Sequence, residues 1–168
     1  KTRVLTARVC HLIETGVDPY NILAITFTNK AANEMKERIE RYIGSQSVWT
    51  STFHSMCARM LRYDADRIGY STDFTIYTEL ESERVVKRVL QDYPQADPKN
   101  KGDYLWHISR AKTLALSPDA YYDAIKNDDN DAYNIYQVYA RYEKELKNCN
   151  CMDFDDLLLK NVEMFTSC

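Results

Sequence analysis

Apolar positions at Val4, Leu5, Val9, Leu12 and Ile13 recur at helical spacing and stop before Gly16, which predicts an opening helix with a glycine C-cap. Ile22–Ile25 is a short continuous apolar run, suited to a strand of a buried parallel sheet. Thr26-Phe27-Thr28-Asn29 follows, and residues 30–43 read as an amphipathic helix with Asn29 as its N-cap and Gly44 just past its end. Val48–Ser51 predicts a second strand, and Thr52-Phe53-His54-Ser55 its exit turn. A second helix then runs to about Ile68 and stops at Gly69, and Phe74–Tyr77 predicts a third strand. Strand, turn and helix thus recur twice, the rhythm of an open parallel sheet, and both polar-aromatic turns fall at carboxyl ends of strands, where such sheets bind ligands.

Past residue 78 the strand signal fades. Leu80, Val85, Val86, Val89 and Leu90 mark one amphipathic helix, with further helical patterns at 103–115, 118–127 and 131–147. Tyr104, Tyr133, Tyr136, Tyr139 and Tyr142 are expected to pack between these helices. A last helix begins after Asp153. The fold class expected is α/β: an incomplete parallel sheet with flanking helices over 1–78, an all-α insertion over 79–150, and a helix over 151–168 leading back to the first part.

Composition changes this picture little. Four glycines and four prolines in 168 residues are too few for disorder or for a turn-rich all-β chain. No apolar run approaches the roughly 18 residues of a membrane helix. Five cysteines, an odd number, do not make a disulfide framework, so a reducing cytoplasm is expected. Charge is more informative. The net is −3, yet residues 1–70 carry +3 and residues 71–168 carry −6. Non-specific coating of nucleic acid is disfavoured, whereas a basic groove confined to the first part is not.

Several residues are candidates for chemistry. Lys1-Thr2 before a helix is what a phosphate-binding loop leaves at its carboxyl end, although two residues alone are more simply an arbitrary pair. Arg38 falls on the face of its helix marked by Ala31, Met35, Ile39 and Tyr42, so it needs an anion: a buried carboxylate or a ligand phosphate. Phe27 and Phe53 end strands, either as core or as platforms on which bases stack. Thr26, Thr28, Asn29, His54 and Ser55 are short polar neighbours able to reach phosphates. Ser55, Arg59 and Arg62 share a helix face, as a basic strip or a merely solvated one. Asp153, Asp155 and Asp156 suit a helix N-terminus better than a metal site.

Ala24-Ile25-Thr26-Phe27-Thr28-Asn29-Lys30-Ala31-Ala32-Asn33-Glu34-Met35 resembles a motif of superfamily 1 DNA helicases of the UvrD/PcrA/Rep type. Ser51-Thr52-Phe53-His54-Ser55-Met56-Cys57 and Met152-Asp153-Phe154-Asp155-Asp156-Leu157-Leu158 are similar to two further motifs, in the family's order along essentially the whole chain. The resemblance implies a RecA-like first motor domain interrupted by a helical subdomain. It implies ATP and Mg²⁺ as ligands, with Lys1 on the β- and γ-phosphates, Thr2 on the metal, Arg3 against the base or sugar and Arg38 near the triphosphate. Thr26, Phe27, Thr28, Asn29, Thr52, Phe53 and His54 would line the path of single-stranded DNA. Implied partners are single-stranded DNA, its junctions with duplex and a second RecA-like domain, with no membrane. The implied activity is translocation and unwinding in repair or replication, three-prime to five-prime.

The glycines that would precede Lys1, a D-E-x-x pair and the second motor domain are absent from residues 1–168, so a fragment inactive by itself is expected. Two other readings stay open: a non-enzymatic nucleic-acid-binding or docking module, and part of a helicase-nuclease repair subunit.

Overall fold

The computed structural model describes residues 2–45, 48–93, 95–96 and 100–166. The chain divides into two compact units, residues 1–58 and 59–168. The division lies upstream of the expected boundary at 78.

In the first unit α1 (Thr2–Glu14) leads through a 3₁₀ turn at Pro19–Asn21 to β1 (Leu23–Thr26), α2 (Asn29–Ile43), β2 (Trp49–Thr52) and the start of α3 (Phe53–Asp64). The two strands are parallel, in a register that sets Leu23 opposite Trp49 and Thr26 opposite Thr52. Each strand lies one residue later than the apolar pattern predicts, because backbone pairing continues through the two threonines. Val9, Ile22, Ala24, Met35, Ile39 and Val48 form the core under this layer. Asn29 is not the cap of α2: Thr28 is, its Oγ1 accepting from the N–H of Ala31 at 3.2 Å. Asn29 is instead the first helical residue. The packed face of α2 is Ala32, Met35 and Ile39, while Tyr42 is 68% exposed. The face is therefore centred on Ala32 rather than Ala31, and Arg38 lies off it.

The second unit continues through a 3₁₀ turn at Ala65–Ile68 to β3 (Thr75–Ile76), α4 (Glu79–Leu90), α5 (Lys101–Thr113), α6 (Pro118–Ile125), α7 (Ala132–Asn148), β4 (Cys151–Met152) and α8 (Phe154–Thr166). The third strand expected at 74–77 is two residues long and pairs in parallel with β4, a strand the sequence did not announce. Phe74 is buried there. Asn150, at φ 51°, receives the Ser71 N–H on its Oδ1 at 2.9 Å and feeds the chain into β4. The residues after the compact-unit boundary are thus fastened to the end of the helical part.

The helices pack α4 on α5 and α7, α6 on α7, and α5 on α8. α4 opens with a capping box: Thr78 Oγ1 accepts from the Glu81 N–H and Glu81 Oε2 from the Thr78 N–H. Val86, Val138, Tyr139, Tyr142 and Leu146 form the middle of the core. Tyr104 is buried with them, but Tyr133 is 57% exposed and leans with Tyr136 and Tyr122 in an aromatic group at the surface. Three-residue spacing carries successive tyrosines around the helix rather than along one stripe.

At the centre of this unit lies a charge. Lys112 of α5 is 3% exposed and its Nζ sits 2.7 Å from Asp153 Oδ2, 2.8 Å from Glu143 Oε1 and 2.9 Å from Asp156 Oδ1. Tyr142 donates its hydroxyl to Asp153 at 2.9 Å. Asp153 and Asp156 cap each other across the first turn of α8, each carboxylate accepting the other's N–H, at 2.9 and 3.1 Å. The aspartates are a helix N-terminus, as the sequence suggests, with a buried lysine added. Lys112→Met should lower the unfolding free energy by about 3–5 kcal/mol, the cost of stranding buried carboxylates. Urea unfolding followed by circular dichroism checks it; a loss under about 1 kcal/mol would mean the cluster is solvated.

Candidate functional site

The residues singled out at the strand ends come together through register. Because Thr26 pairs with Thr52, the two Thr-Phe steps leave the sheet side by side at the carboxyl ends of β1 and β2. Thr26 donates its hydroxyl to the carbonyl of Thr28 at 3.0 Å, tightening the exit of β1. Thr28 caps α2, and Thr52 does the same for α3, its Oγ1 accepting from the Ser55 N–H at 3.3 Å. The predicted turn at 52–55 does not exist. Phe53 and His54 are already the first turn of α3, since a capping threonine at the last strand residue lets the helix begin at once.

Two threonines therefore differ in availability. Thr28 is exposed, whereas Thr52 is buried and its hydroxyl also donates to Ser55 Oγ at 2.9 Å. The phenylalanines are not core. Phe27 is 96% exposed and Phe53 55% exposed. His54 is half-buried and Asn29 exposed. An aromatic ring this exposed contributes no packing to the fold, and its place is set by the strand end and the Thr28 cap on either side of it.

Lys1 lies outside the described residues. Thr2 opens α1 and Arg3 is exposed beside it. The first turn of α1 holds no acidic side chain of its own to offset the positive end of its dipole. A threonine hydroxyl at such an end is a hard oxygen donor of the kind magnesium accepts. These features fit a nucleotide phosphate with its metal. Among the described residues no group of three or more His, Cys, Asp or Glu could hold a metal ion by itself.

Among the described residues Arg38 has no buried carboxylate as partner. It is half-exposed and its Nη2 lies 3.9 Å from Glu34 Oε2, one turn back on the same helix. Such a surface pair contributes a few tenths of a kcal/mol and leaves the guanidinium able to turn elsewhere. Arg62 is committed: it donates to the carbonyl of Thr72 at 2.9 Å and lies 3.9 Å over the Phe74 ring, so a free basic strip with Ser55 and Arg59 is not present.

What the sequence reading missed is Lys112 and its partner Glu143. A signal existed: Tyr104, Ile108, Ala111 and Lys112 share one face of α5, so a lysine occupies a core position. Burial opposes its charge, but Asp156, Glu143 and Asp153 outweigh burial and hold its pKa well above the ordinary lysine value. Burial pushes Asp156 up to about 7, with Asp153 and Glu143 adding to the rise against the pull of Lys112.

Residues 1–167 match the family described as the UvrD/REP helicase N-terminal domain. The chain is 43% identical over 173 aligned residues to the ATP-dependent DNA helicase PcrA of Staphylococcus aureus strain COL, covering 98% of this chain and 23% of that relative. It is equally similar, by the same measures, to the ATP-dependent DNA helicase PcrA of Staphylococcus epidermidis. The chain thus spans under a quarter of the length of these curated relatives.

Phe27→Ala should leave stability within about 0.5 kcal/mol of the parent, as expected for an exposed side chain. Were Phe27 core, the loss would be about 3–5 kcal/mol. Thermal and urea unfolding of the two proteins separate these outcomes.

Proposed function

The chain belongs to the UvrD/REP helicase N-terminal domain family, and on that premise we propose that it is the nucleotide- and DNA-facing part of the first, RecA-like motor domain of an ATP-dependent DNA helicase, with its helical insertion. The observation that carries this reading is the exposure of Phe27 at the paired strand ends, next to Phe53.

Phe27 and Phe53 are the stacking surfaces for successive bases of single-stranded DNA. Stacking needs only a π-face, so it serves a motor that must accept any sequence. Thr28, Asn29 and His54 reach the backbone between the stacked bases, and Thr26 and Thr52 hold the strand ends that carry them. Thr2, at the head of α1, and Lys1 before it in sequence bind the triphosphate and its magnesium, Arg3 lies against the base or sugar, and Arg38 turns from Glu34 to the phosphates. When bound, ATP supplies the phosphoryl group whose cleavage drives stepping; these residues orient it and neutralise its charge. The same reading includes movement three-prime to five-prime, unwinding at junctions between single strand and duplex in repair or replication, a second RecA-like domain as partner, and a cytoplasmic setting. None of the helices among the described residues is long and apolar enough to cross a membrane.

In the intact parent, Phe27→Ala should weaken single-strand binding about 5–150-fold at fixed salt, the value of one stacked base. The loss should be alike for different base sequences. The slope of log affinity against log salt should barely move, because no phosphate contact is removed. Anisotropy titrations with labelled oligonucleotides read all three; unchanged affinity in a folded variant would remove Phe27 from the DNA path.

Lys1→Ala in the intact parent should abolish DNA-stimulated ATP hydrolysis while single-strand affinity without nucleotide and the thermal midpoint stay as they were. Steady-state ATPase assays beside the same titrations check it, and a variant that still hydrolyses ATP normally would overturn the assignment.

A further inference from the structure

The second unit carries a groove that the helicase reading does not use. It has a volume of about 890 Å³ and runs between the first turns of α4 and α8 and one side of α5. Three large apolar side chains converge on it while exposed: Leu80 at 66%, Trp106 at 53% and Phe154 at 52%. A folded chain does not gather such side chains at one hollow for its own stability, since each would be worth more inside.

The charge of the lining is one-sided. Glu79, Glu83, Asp153 and Asp155 line the groove, and among the described residues no lysine, arginine or histidine does. Lys101 pairs with Glu83, and Lys112 with Asp153 from beneath. Glu79 and Asp155 have neither an ion pair nor a hydrogen bond among the described residues. Each sits in the first turn of its helix, where the dipole favours a negative charge. Arg110 lies 5.1 Å over the Trp106 ring but belongs to the shallow hollow on the other side of that residue.

Asp153 and Asp156 face inward to Lys112, whereas Phe154 and Asp155, from the same motif, face the groove. An apolar floor with a carboxylate rim repels a phosphate backbone and matches a helix that presents leucine-like side chains on one face and lysine or arginine beside them. We infer that this groove is a docking site for a cationic amphipathic helix of a protein partner, separate from the strand-end site.

The test uses the intact parent and three labelled probes: a leucine/lysine amphipathic peptide of about five helical turns, its leucine/glutamate counterpart, and a single-stranded oligonucleotide. The lysine peptide should bind. Leu80→Ser, and separately Glu79→Lys with Asp155→Lys, should each weaken it about tenfold or more while leaving the thermal midpoint unchanged. The glutamate peptide should not bind, and oligonucleotide affinity should be the same in all variants. A Leu80→Cys variant should react with a maleimide at that position and be protected by the lysine peptide, not by the oligonucleotide. Peptide affinity indifferent to these substitutions overturns the proposal. So does a Leu80→Cys thiol unreactive in the folded parent, because the rest of the parent's own chain would then fill the groove. Protection by the oligonucleotide overturns it in favour of nucleic acid. None of these readouts uses ATP hydrolysis or unwinding, so failure of the helicase reading would be recorded separately.

Discussion

An ammonium group without water must be surrounded by acceptors, and that requirement at Lys112 organises the second unit. Its three carboxylate partners come from α7 and from both ends of the first turn of α8, so a single side chain of α5 fixes three segments at once. One cation cannot balance three anions. The imbalance shows in two ways: Tyr142 donates to Asp153, and burial with the neighbouring carboxylates raises the pKa of Asp156 against the pull of Lys112. A hydrophobic set of the same shape would fill the space at no electrostatic cost. What the charges add is direction, since only one placement of β4 and α8 brings both aspartates to the same nitrogen.

The first unit rests on a gentler device. Two parallel strands end in threonines that face each other, and the helix after each strand is capped by a threonine, Thr28 or Thr52. The caps fix where each helix starts, and with it where the following or preceding phenylalanine stands. Phe27 is left between the end of a strand and a cap, with its ring in solvent. The proposed base-stacking surface is thus a by-product of helix initiation, held by backbone hydrogen bonds rather than by packing of the ring itself.

How far this was legible depends on the range of the interaction. The helices, the parallel βα rhythm and the strand-end position of the aromatic residues follow from local periodicity, and the structure contains them. One-residue errors came from competition between neighbours: Thr28 over Asn29 as a cap, Ala32 over Ala31 on the packed face of α2. Of the two partners the sequence leaves open to Arg38, the structure shows no buried carboxylate among the described residues, only Glu34 at the surface. Larger omissions were of long range. Nothing local to Cys151 and Met152 announces a strand, because a two-residue strand exists only through its partner near residue 75. Lys112 could be placed on a buried face, but Glu143 and the aspartates that justify it lie more than thirty residues away in sequence.

The clasp between β3 and β4 has a further meaning for how such a chain is put together. It brings residue 75 beside residue 151, one strand spacing of about 4.8 Å apart, so the four helices between them leave and return at a single point. A segment whose two ends meet closes a loop on itself, so insertions within it need not part the two strands that clasp it. The two-residue β3–β4 pair is therefore a clasp whose closure holds the entry and exit of the helical part together, although neither strand has length enough to stand without the other.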